Sequence, residues 1–151
     1  MTEPASSPIA PRPKTPVHLW IVAVLAILWH LMAVFDYLAT ELRLESYMSQ
    51  FTQEQLDYFY GFPSWVVAAW AIAVWGGLLA SIALLIRRKW AVWLFALSLV
   101  GLALTTLYNF VLSDGAAIMG AGAAMFTAVI WIIAIALLLY AWRQAANGVL
   151  R

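Results

Sequence analysis

The chain has 151 residues, of which 66% are hydrophobic and 10% are charged. A soluble domain carries about 45–50% apolar and about 25% charged residues, so this composition excludes an ordinary soluble fold. The net charge of +1 excludes a nucleic-acid partner, because no basic stripe is present to neutralise phosphates. The absence of cysteine excludes disulfides, thiolate metal sites and cysteine nucleophiles. We therefore expect a small integral membrane protein.

The first segment, residues 1–16, is rich in proline. It holds five of the six prolines of the chain among Ser, Thr, Lys and Arg side chains. Such a segment lacks the apolar content that folding needs, so we expect a disordered cytoplasmic tail. The apolar run that follows is too long for the core of a signal peptide, and no small-residue cleavage site ends it. This run predicts an uncleaved first transmembrane helix over 18–40.

Three further apolar stretches have the length of a membrane span, about 20 residues. With the first they give four predicted spans, over 18–40, 63–86, 90–112 and 118–142. These spans form a predicted transmembrane domain over 17–143, followed by a polar C-terminal tail over 144–151. The pattern predicts an all-α membrane protein, an antiparallel bundle of four transmembrane helices.

The connection between the first two spans is polar and aromatic. Within it, Thr52 and Gln55 have the spacing of a capping box, in which each side chain binds the other residue's free backbone amide. Gly61 and Pro63 then provide a stop signal. The connection therefore predicts a short helix over 53–60 that lies at the membrane interface.

The Lys and Arg residues are distributed unevenly about the predicted spans. Seven of the eight lie in the two tails or in the turn Arg87-Arg88-Lys89, and only Arg43 lies on the other side. Basic residues accumulate on the cytoplasmic side of membrane proteins, so we expect both termini in the cytoplasm. The turn has two interpretations: topology alone explains its charge, or it binds an anionic lipid headgroup.

Small residues recur every four positions in the predicted spans, and such residues let membrane helices approach closely. The packing positions are Ala69, Ala73, Gly77 and Ser81 in the second span, Gly101 in the third, and Gly120, Ala124 and Ala128 in the fourth. Each of these helices therefore has a face suited to close contact with a neighbour.

Few polar side chains lie within the spans. At 1.5 Å per residue, Asp36 and Asn109 lie roughly 12 Å outside their helix midpoints, which places them at a common depth. We expect a polar pocket at this level that opens to the outside, with His30 beneath it. The candidate pocket residues are Asp36, Asn109, Thr105, Tyr108, His30, Tyr37 and Trp65.

Two of these residues are ionisable, and each has two interpretations. Asp36 is a structural carboxylate, solvated or bound by Asn109 or Tyr108, or it is a substrate or proton site. His30 donates to a neighbouring helix, or it relays protons. Because His18 lies on the same predicted helix near its opposite end, two histidines cannot face one haem, and we expect no metal and no cofactor.

Catalytic motifs are absent from the sequence. There is no glycine-rich phosphate loop, no HExxH or GxSxG motif, and no second carboxylate near Asp36 within a span. We therefore expect that the protein is not an enzyme. The nine tryptophans fit a membrane belt and packing, and Trp65 and Trp70 are the best placed to stack on a sugar.

Four stretches carry a resemblance to a known family: WHLMAVFDYLAT, YFYGFPSWVVAAWAIAVWGGLL, RRKWAVWLFALSLVG and YNFVLS. They resemble small four-helix proteins of the bacterial inner membrane, over nearly the whole chain after the proline-rich tail. Members often carry the label "sugar transporter". The resemblance implies a multi-pass protein of the bacterial cytoplasmic membrane and gives no residue a catalytic or binding role.

Two functional classes remain open. One is a small-solute transporter, of the sugar type if the family label holds, that acts as an oligomer because four short helices enclose little volume. The other is an accessory or stabilising subunit that packs against a larger membrane complex through a small-residue face. The expected partners are membrane lipids and either further copies of the chain or a larger membrane protein.

Overall fold

The fold is known from a computed structural model, which describes residues 14–151. Residues 1–13, and with them most of the predicted disordered tail, lie outside the described part. The helices are α1 (Val17–Glu41), α2 (Glu45–Met48), α3 (Gln53–Tyr60), α4 (Ser64–Leu85), α5 (Ala91–Leu107), a π-helical turn (Tyr108–Leu112) and α6 (Gly115–Ala146). No strand occurs within residues 14–151, which confirms the all-α prediction for them.

Within residues 14–151, four helical stretches are long and apolar enough to cross a membrane: α1, α4, α5 together with the π-helical turn, and α6. Pro16 and Pro63 directly precede α1 and α4, where a proline interrupts no hydrogen bond because the first backbone amides of a helix lack partners. The first three stretches begin and end within one residue of the predicted bounds, whereas α6 extends beyond 118–142 at both ends.

The short helix α3 has the predicted bounds, Gln53–Tyr60, and the predicted capping box. Gln55 donates its backbone amide to the Thr52 hydroxyl, and the Thr52 amide donates to the Gln55 side chain. Both predictions are therefore confirmed. The one-turn helix α2 was missed, because its four residues carry no capping signal of their own.

Helix α4 lies between α1 and α5 and packs against both. Helix α6 packs against α5 and also contacts α3. The sides of α1 and α6 meet through a hydrogen bond of 2.6 Å between His18 Nδ1 and the Tyr140 hydroxyl, and through the rings of Trp29 and Phe126. These contacts close the four long helices into a bundle.

The two halves of the bundle are packed differently. The half near the α4–α5 turn holds the hydrophobic core, in which Leu19 of α1, Leu84 of α4 and Phe95 of α5 are almost fully buried. Since this core joins the start of α1 to the end of α4, these two helices run antiparallel. The other half, beneath α2 and α3, encloses a cavity.

The small residues of α4 contact two helices. A β-carbon on Gly101 of α5 would lie 2.5 Å from the Ala69 carbonyl oxygen and 2.7 Å from the Ala73 amide nitrogen. A β-carbon on Gly77 would lie 2.2 Å from the His30 ring of α1. At 100° per residue, side chains four positions apart differ in direction by roughly 40° around the helix axis. The small residues of α4 therefore face α5 near its start and α1 further along.

The three predicted packing positions of α6 lie in different environments. Gly120 has φ 80° and ψ 179°, which interrupts the helix, and a β-carbon there would meet open space. Ala128 is exposed, whereas Gly120 and Ala124 both line the cavity. A four-residue spacing shows neither the break at Gly120 nor the direction in which the helix after it faces.

Candidate functional site

The candidate site is a cavity of about 680 Å³ between the four long helices. Side chains of α1, α4, α5 and α6 form its walls, and Tyr47, Phe51, Phe59 and Phe62 cover it from the α2–α3 segment. A volume of this size lies within the range of small-molecule sites, which is about 300–1,000 Å³. Among the described residues of the four long helices, His30 and Asp36 are the two ionisable side chains that line the cavity.

Asp36 is half-buried in the cavity wall. Its Oδ1 accepts a hydrogen bond of 2.5 Å from the Tyr47 hydroxyl, and the Thr40 hydroxyl donates to its backbone carbonyl. We expected Asn109 or Tyr108 as its donor, but the structure places Tyr47 there. No Lys or Arg lines the cavity within residues 14–151, so the carboxyl group has a hydroxyl partner and no cationic one in the wall.

Asn109 has a similar connection to the covering segment. Its side-chain oxygen accepts a hydrogen bond of 2.6 Å from Tyr58 of α3, and its amide nitrogen donates to the Thr105 carbonyl. The Tyr58 hydroxyl also lies 2.8 Å from the Ser113 hydroxyl. Tyrosines of the α2–α3 segment thus bind one polar residue on α1 and one on the π-helical turn.

The ionisation of these tyrosines reflects their surroundings. Burial raises the pKa of Tyr47 to about 12, and the hydrogen bond to Asp36 and the charge of that residue act in the same direction. Burial likewise raises the pKa of Tyr58. Both hydroxyl groups therefore keep their protons, and remain hydrogen-bond donors, well above neutral pH.

The hydroxyl groups in the cavity wall are already engaged. Each donates to a main-chain carbonyl: Ser98 to Ala73, Thr105 to Leu102, Thr106 to Leu102 and Thr127 to Ala123. The Thr106 oxygen also accepts a hydrogen bond from the Trp131 ring. Since a hydroxyl has one hydrogen to donate, these groups offer acceptor oxygens to the cavity.

His30 is buried between α1 and α4 and borders the cavity. Its Nδ1 lies 2.8 Å from the Ala26 carbonyl oxygen and 3.1 Å from the Ser81 hydroxyl. A carbonyl can only accept, so Nδ1 carries a proton, and in the neutral ring Nε2 is an acceptor. Nε2 has no hydrogen-bond partner among residues 14–151. Every fully buried polar side-chain atom in that range has such a partner, so Nε2 is not fully buried.

The structure brings together four of the seven candidate pocket residues. His30, Asp36, Thr105 and Asn109 all line the cavity. The other three lie outside the lining and pack on aromatic rings. Tyr37 packs edge-on against Trp70, with ring centroids 5.0 Å apart, and Trp65 packs against Tyr108 at 5.7 Å. Of the two tryptophans considered for sugar stacking, Trp70 lines the cavity and Trp65 does not.

Sequence reasoning missed the residues that cover the cavity. Tyr47, Phe51 and Phe59 are not among the predicted pocket residues. Their rings form an edge-to-face series, with centroids 5.8 Å apart from Tyr47 to Phe51 and 5.3 Å from Phe51 to Phe59. The density of aromatic residues in this segment was the available signal, because aromatic side chains contribute large areas of buried apolar surface.

The basic turn between α4 and α5 lies at the opposite end of the bundle. Arg87 has a positive φ of 59°, and its guanidinium group donates to the Thr15 hydroxyl. The backbone of Arg87 and Lys89 forms hydrogen bonds of 2.7 and 2.8 Å with Arg151. The side chains of Arg88 and Lys89 are exposed, so both place positive charge at the surface of this end.

Comparisons with known proteins give no family for the chain. No family model matches it, and neither the curated proteins nor the solved structures compared with it gave a match. Within residues 14–151 no three His, Cys, Asp or Glu side chains form a group that could hold a metal ion. The resemblance to bacterial inner-membrane proteins therefore stays a prediction.

Proposed function

We propose that the protein is a multi-pass protein of the bacterial inner membrane, with both termini in the cytoplasm. The exposed surface of the long helices supports this proposal, because it carries large apolar side chains such as Leu25, Leu28, Ile132 and Leu139. In water such a surface would drive aggregation. The basic residues at the α4–α5 end support the orientation, with the α2–α3 segment on the periplasmic side.

The orientation is tested with single cysteines, since the chain has none of its own. A membrane-impermeant maleimide added to intact spheroplasts should label a cysteine at Glu54 in α3 and leave one at Arg88 unlabelled. Permeabilised spheroplasts serve as the control, because both cysteines should then react. Labelling of the Arg88 position in intact spheroplasts would contradict the proposed topology.

Within the membrane, the protein's proposed activity is transport of a small solute, carried out by an oligomer. The observation that carries this proposal is the cavity of about 680 Å³, with Asp36, Asn109 and His30 at its wall. Ionisable groups such as a carboxyl and an imidazole are costly to bury in a membrane, and where they occur there they commonly mark the path of a solute or ion. The break in α6 at Gly120 lies in the same wall, and interrupted helices commonly surround transport sites.

Transport is tested by reconstituting the purified chain in liposomes and following uptake of labelled solutes, with monosaccharides first because of the family label. Uptake should exceed that of empty liposomes and should fall when the cavity is narrowed, for example by Ala124→Trp. The matched control is Ala128→Trp, which makes the same change at an exposed position of the same helix. Equal effects of the two variants would count against the cavity as the route.

A second proposed role, as an accessory subunit of a larger membrane complex, is favoured by the exposed side of α6. Met125, Phe126, Val129, Ile132 and Trp142 are all exposed, and these side chains could contact lipid or another protein. Isolation in mild detergent distinguishes the two roles. A larger partner in fixed stoichiometry supports the accessory role, and a homo-oligomer with uptake activity supports transport.

The exposed side chains of Arg88 and Lys89 support a further element of the proposal, contact with anionic lipid. Arg88 and Lys89 lie where the cytoplasmic headgroups would be in the proposed orientation, and the headgroup region of that leaflet is negatively charged. Replacing both residues with glutamine should weaken co-purification of phosphatidylglycerol without unfolding the bundle.

A further inference from the structure

We propose that the cavity binds an amphipathic organic cation: a positively charged, ammonium-like centre on an apolar body. The proposal rests on the proposed function, because it names the class of solute that the same cavity takes. Three features of the wall carry it, namely the uncompensated charge of Asp36, the aromatic rings around it, and hydroxyl groups whose hydrogens are already engaged.

The first feature is the negative charge that Asp36 carries when it is ionised. Asp36 is ionisable, and the cavity lining within residues 14–151 contains no Lys or Arg. Its Oδ1 has the Tyr47 hydroxyl as partner, while Oδ2 has none in the described part of the chain. The cation nearest to it in sequence, Arg43, is engaged elsewhere, with its guanidinium carbon 4.2 Å from the centre of the Tyr60 ring. The charge that balances Asp36 must therefore come from a proton or from a ligand.

The aromatic rings favour a cationic ligand as the source of that balancing charge. Nine aromatic side chains line the cavity. Phe35 packs edge-on against Tyr47, at 5.5 Å between ring centroids, and the series continues through Phe51 to Phe59. Aromatic faces attract cations, and cages of such rings recognise quaternary ammonium groups. A wall of this kind next to one carboxylate matches a cation that carries apolar groups.

The hydrogen-bond inventory points to the same class. The lining hydroxyls of Ser98, Thr105 and Thr127 have their hydrogens engaged with main-chain carbonyls. Asp36 Oδ2 is a free acceptor at the wall, whereas none of these three hydroxyls has a hydrogen left to donate. A sugar needs donors as well as acceptors around its hydroxyl groups, whereas an organic cation needs acceptors, negative charge and apolar contact.

The test uses two ions of nearly the same size and shape but opposite charge, tetraphenylphosphonium and tetraphenylborate. The full chain in lipid nanodiscs is titrated with each, and empty nanodiscs give the background from partition into lipid. We expect saturable binding of tetraphenylphosphonium to the protein and none of tetraphenylborate. Saturable binding of tetraphenylborate that equals or exceeds that of the cation would overturn the proposal, and this comparison needs no variant.

Asp36→Asn supplies the second arm, because it keeps the shape of the side chain and removes its charge. The affinity for tetraphenylphosphonium should fall by about tenfold or more, the loss expected for a charge-assisted contact. The matched control is Asp57→Asn, which removes the same charge from an exposed position of α3 outside the lining and should leave binding unchanged. An Asp36→Asn protein of native size and melting temperature that binds as well as the wild type would overturn the proposal.

Uptake into liposomes separates failure of this inference from failure of the proposed function. A chain that takes up tetraphenylphosphonium in a saturable manner supports both. A chain that takes up a monosaccharide and does not bind the cation retains the transport function and overturns the cation assignment. A chain that moves neither probe, and binds neither, overturns both proposals.

Discussion

The hydroxyl of Tyr47 donates a hydrogen bond of 2.5 Å to Oδ1 of Asp36, and this contact joins α2 to α1 across the turn between them. It gives Asp36 its single side-chain partner among residues 14–151. It also holds the start of the α2–α3 segment, which covers the cavity, against the cavity wall. On the other side, Tyr58 of α3 binds Asn109, so the cover is attached to the bundle at two polar points.

The first prediction concerns the Tyr47 contact. Tyr47→Phe should lower the free energy of unfolding by about 1–2 kcal/mol, because it removes a hydrogen bond to an acidic group and leaves the ring contacts in place. Thermal unfolding in detergent measures the change. Tyr37→Phe is the matched control, since Tyr37 contributes its ring to packing on Trp70 and its hydroxyl has no hydrogen-bond partner in the described part of the chain. Equal losses in both variants would show that the Asp36 contact contributes nothing specific.

The second prediction concerns alkaline pH. The pKa of Tyr47 is raised from 10.0 to about 12 by burial and by Asp36, so the folded state holds this proton more tightly than the unfolded chain does. The resulting stability is complete below pH 10 and is lost as the pH rises towards 12. Melting temperatures measured across this window should fall, and they should fall less steeply in Tyr47→Phe. The pH dependence of the melting temperature that remains in the variant includes a contribution from Tyr58, because burial also raises the pKa of that residue.

The third prediction concerns helix packing. Gly101→Ala should destabilise the fold most, because its β-carbon would overlap backbone atoms of Ala69 and Ala73, which side-chain movement cannot relieve. Gly77→Ala should lower the free energy of unfolding by about 1–3 kcal/mol through overlap with the His30 ring. Gly122→Ala, at a helical position with open space around it, should leave stability unchanged or raise it by up to about 1 kcal/mol. The reverse order of melting temperatures would show that these contacts do not hold the bundle together.

The fourth prediction concerns the break in α6. Gly120 has φ 80° and ψ 179°, a conformation that essentially only glycine adopts, so Gly120→Ala should destabilise the fold by about 1–3 kcal/mol despite the open space around it. If the helix instead continued through this position, alanine would stabilise it, as expected for Gly122→Ala. The sign of the change in melting temperature thus separates a broken helix from a continuous one.

Some features of the protein were determined by the sequence alone, because they depend on residues close together in the chain. The bounds of α1 and α4 follow from uninterrupted apolar runs between polar or proline-containing segments. Those of α3 follow from a capping box whose members, Thr52 and Gln55, lie three positions apart. The common depth of Asp36 and Asn109, which rests on the rise per residue of a helix, stays a prediction, and the structure shows that both residues line the cavity.

Other features were decided only by the tertiary structure. Spacing placed Asp36 and Asn109 at one level, but their partners, Tyr47 and Tyr58, come from a segment whose path over the bundle no local pattern specifies. The small residues of α4 contact α5 at some positions and α1 at others, and this depends on how those helices are arranged around α4. The break at Gly120 likewise depends on local backbone conformation that a four-residue spacing ignores. Hydropathy and capping act between neighbours in sequence, whereas these contacts depend on the rotation of each helix and the path of each loop, which are fixed only when the whole bundle packs.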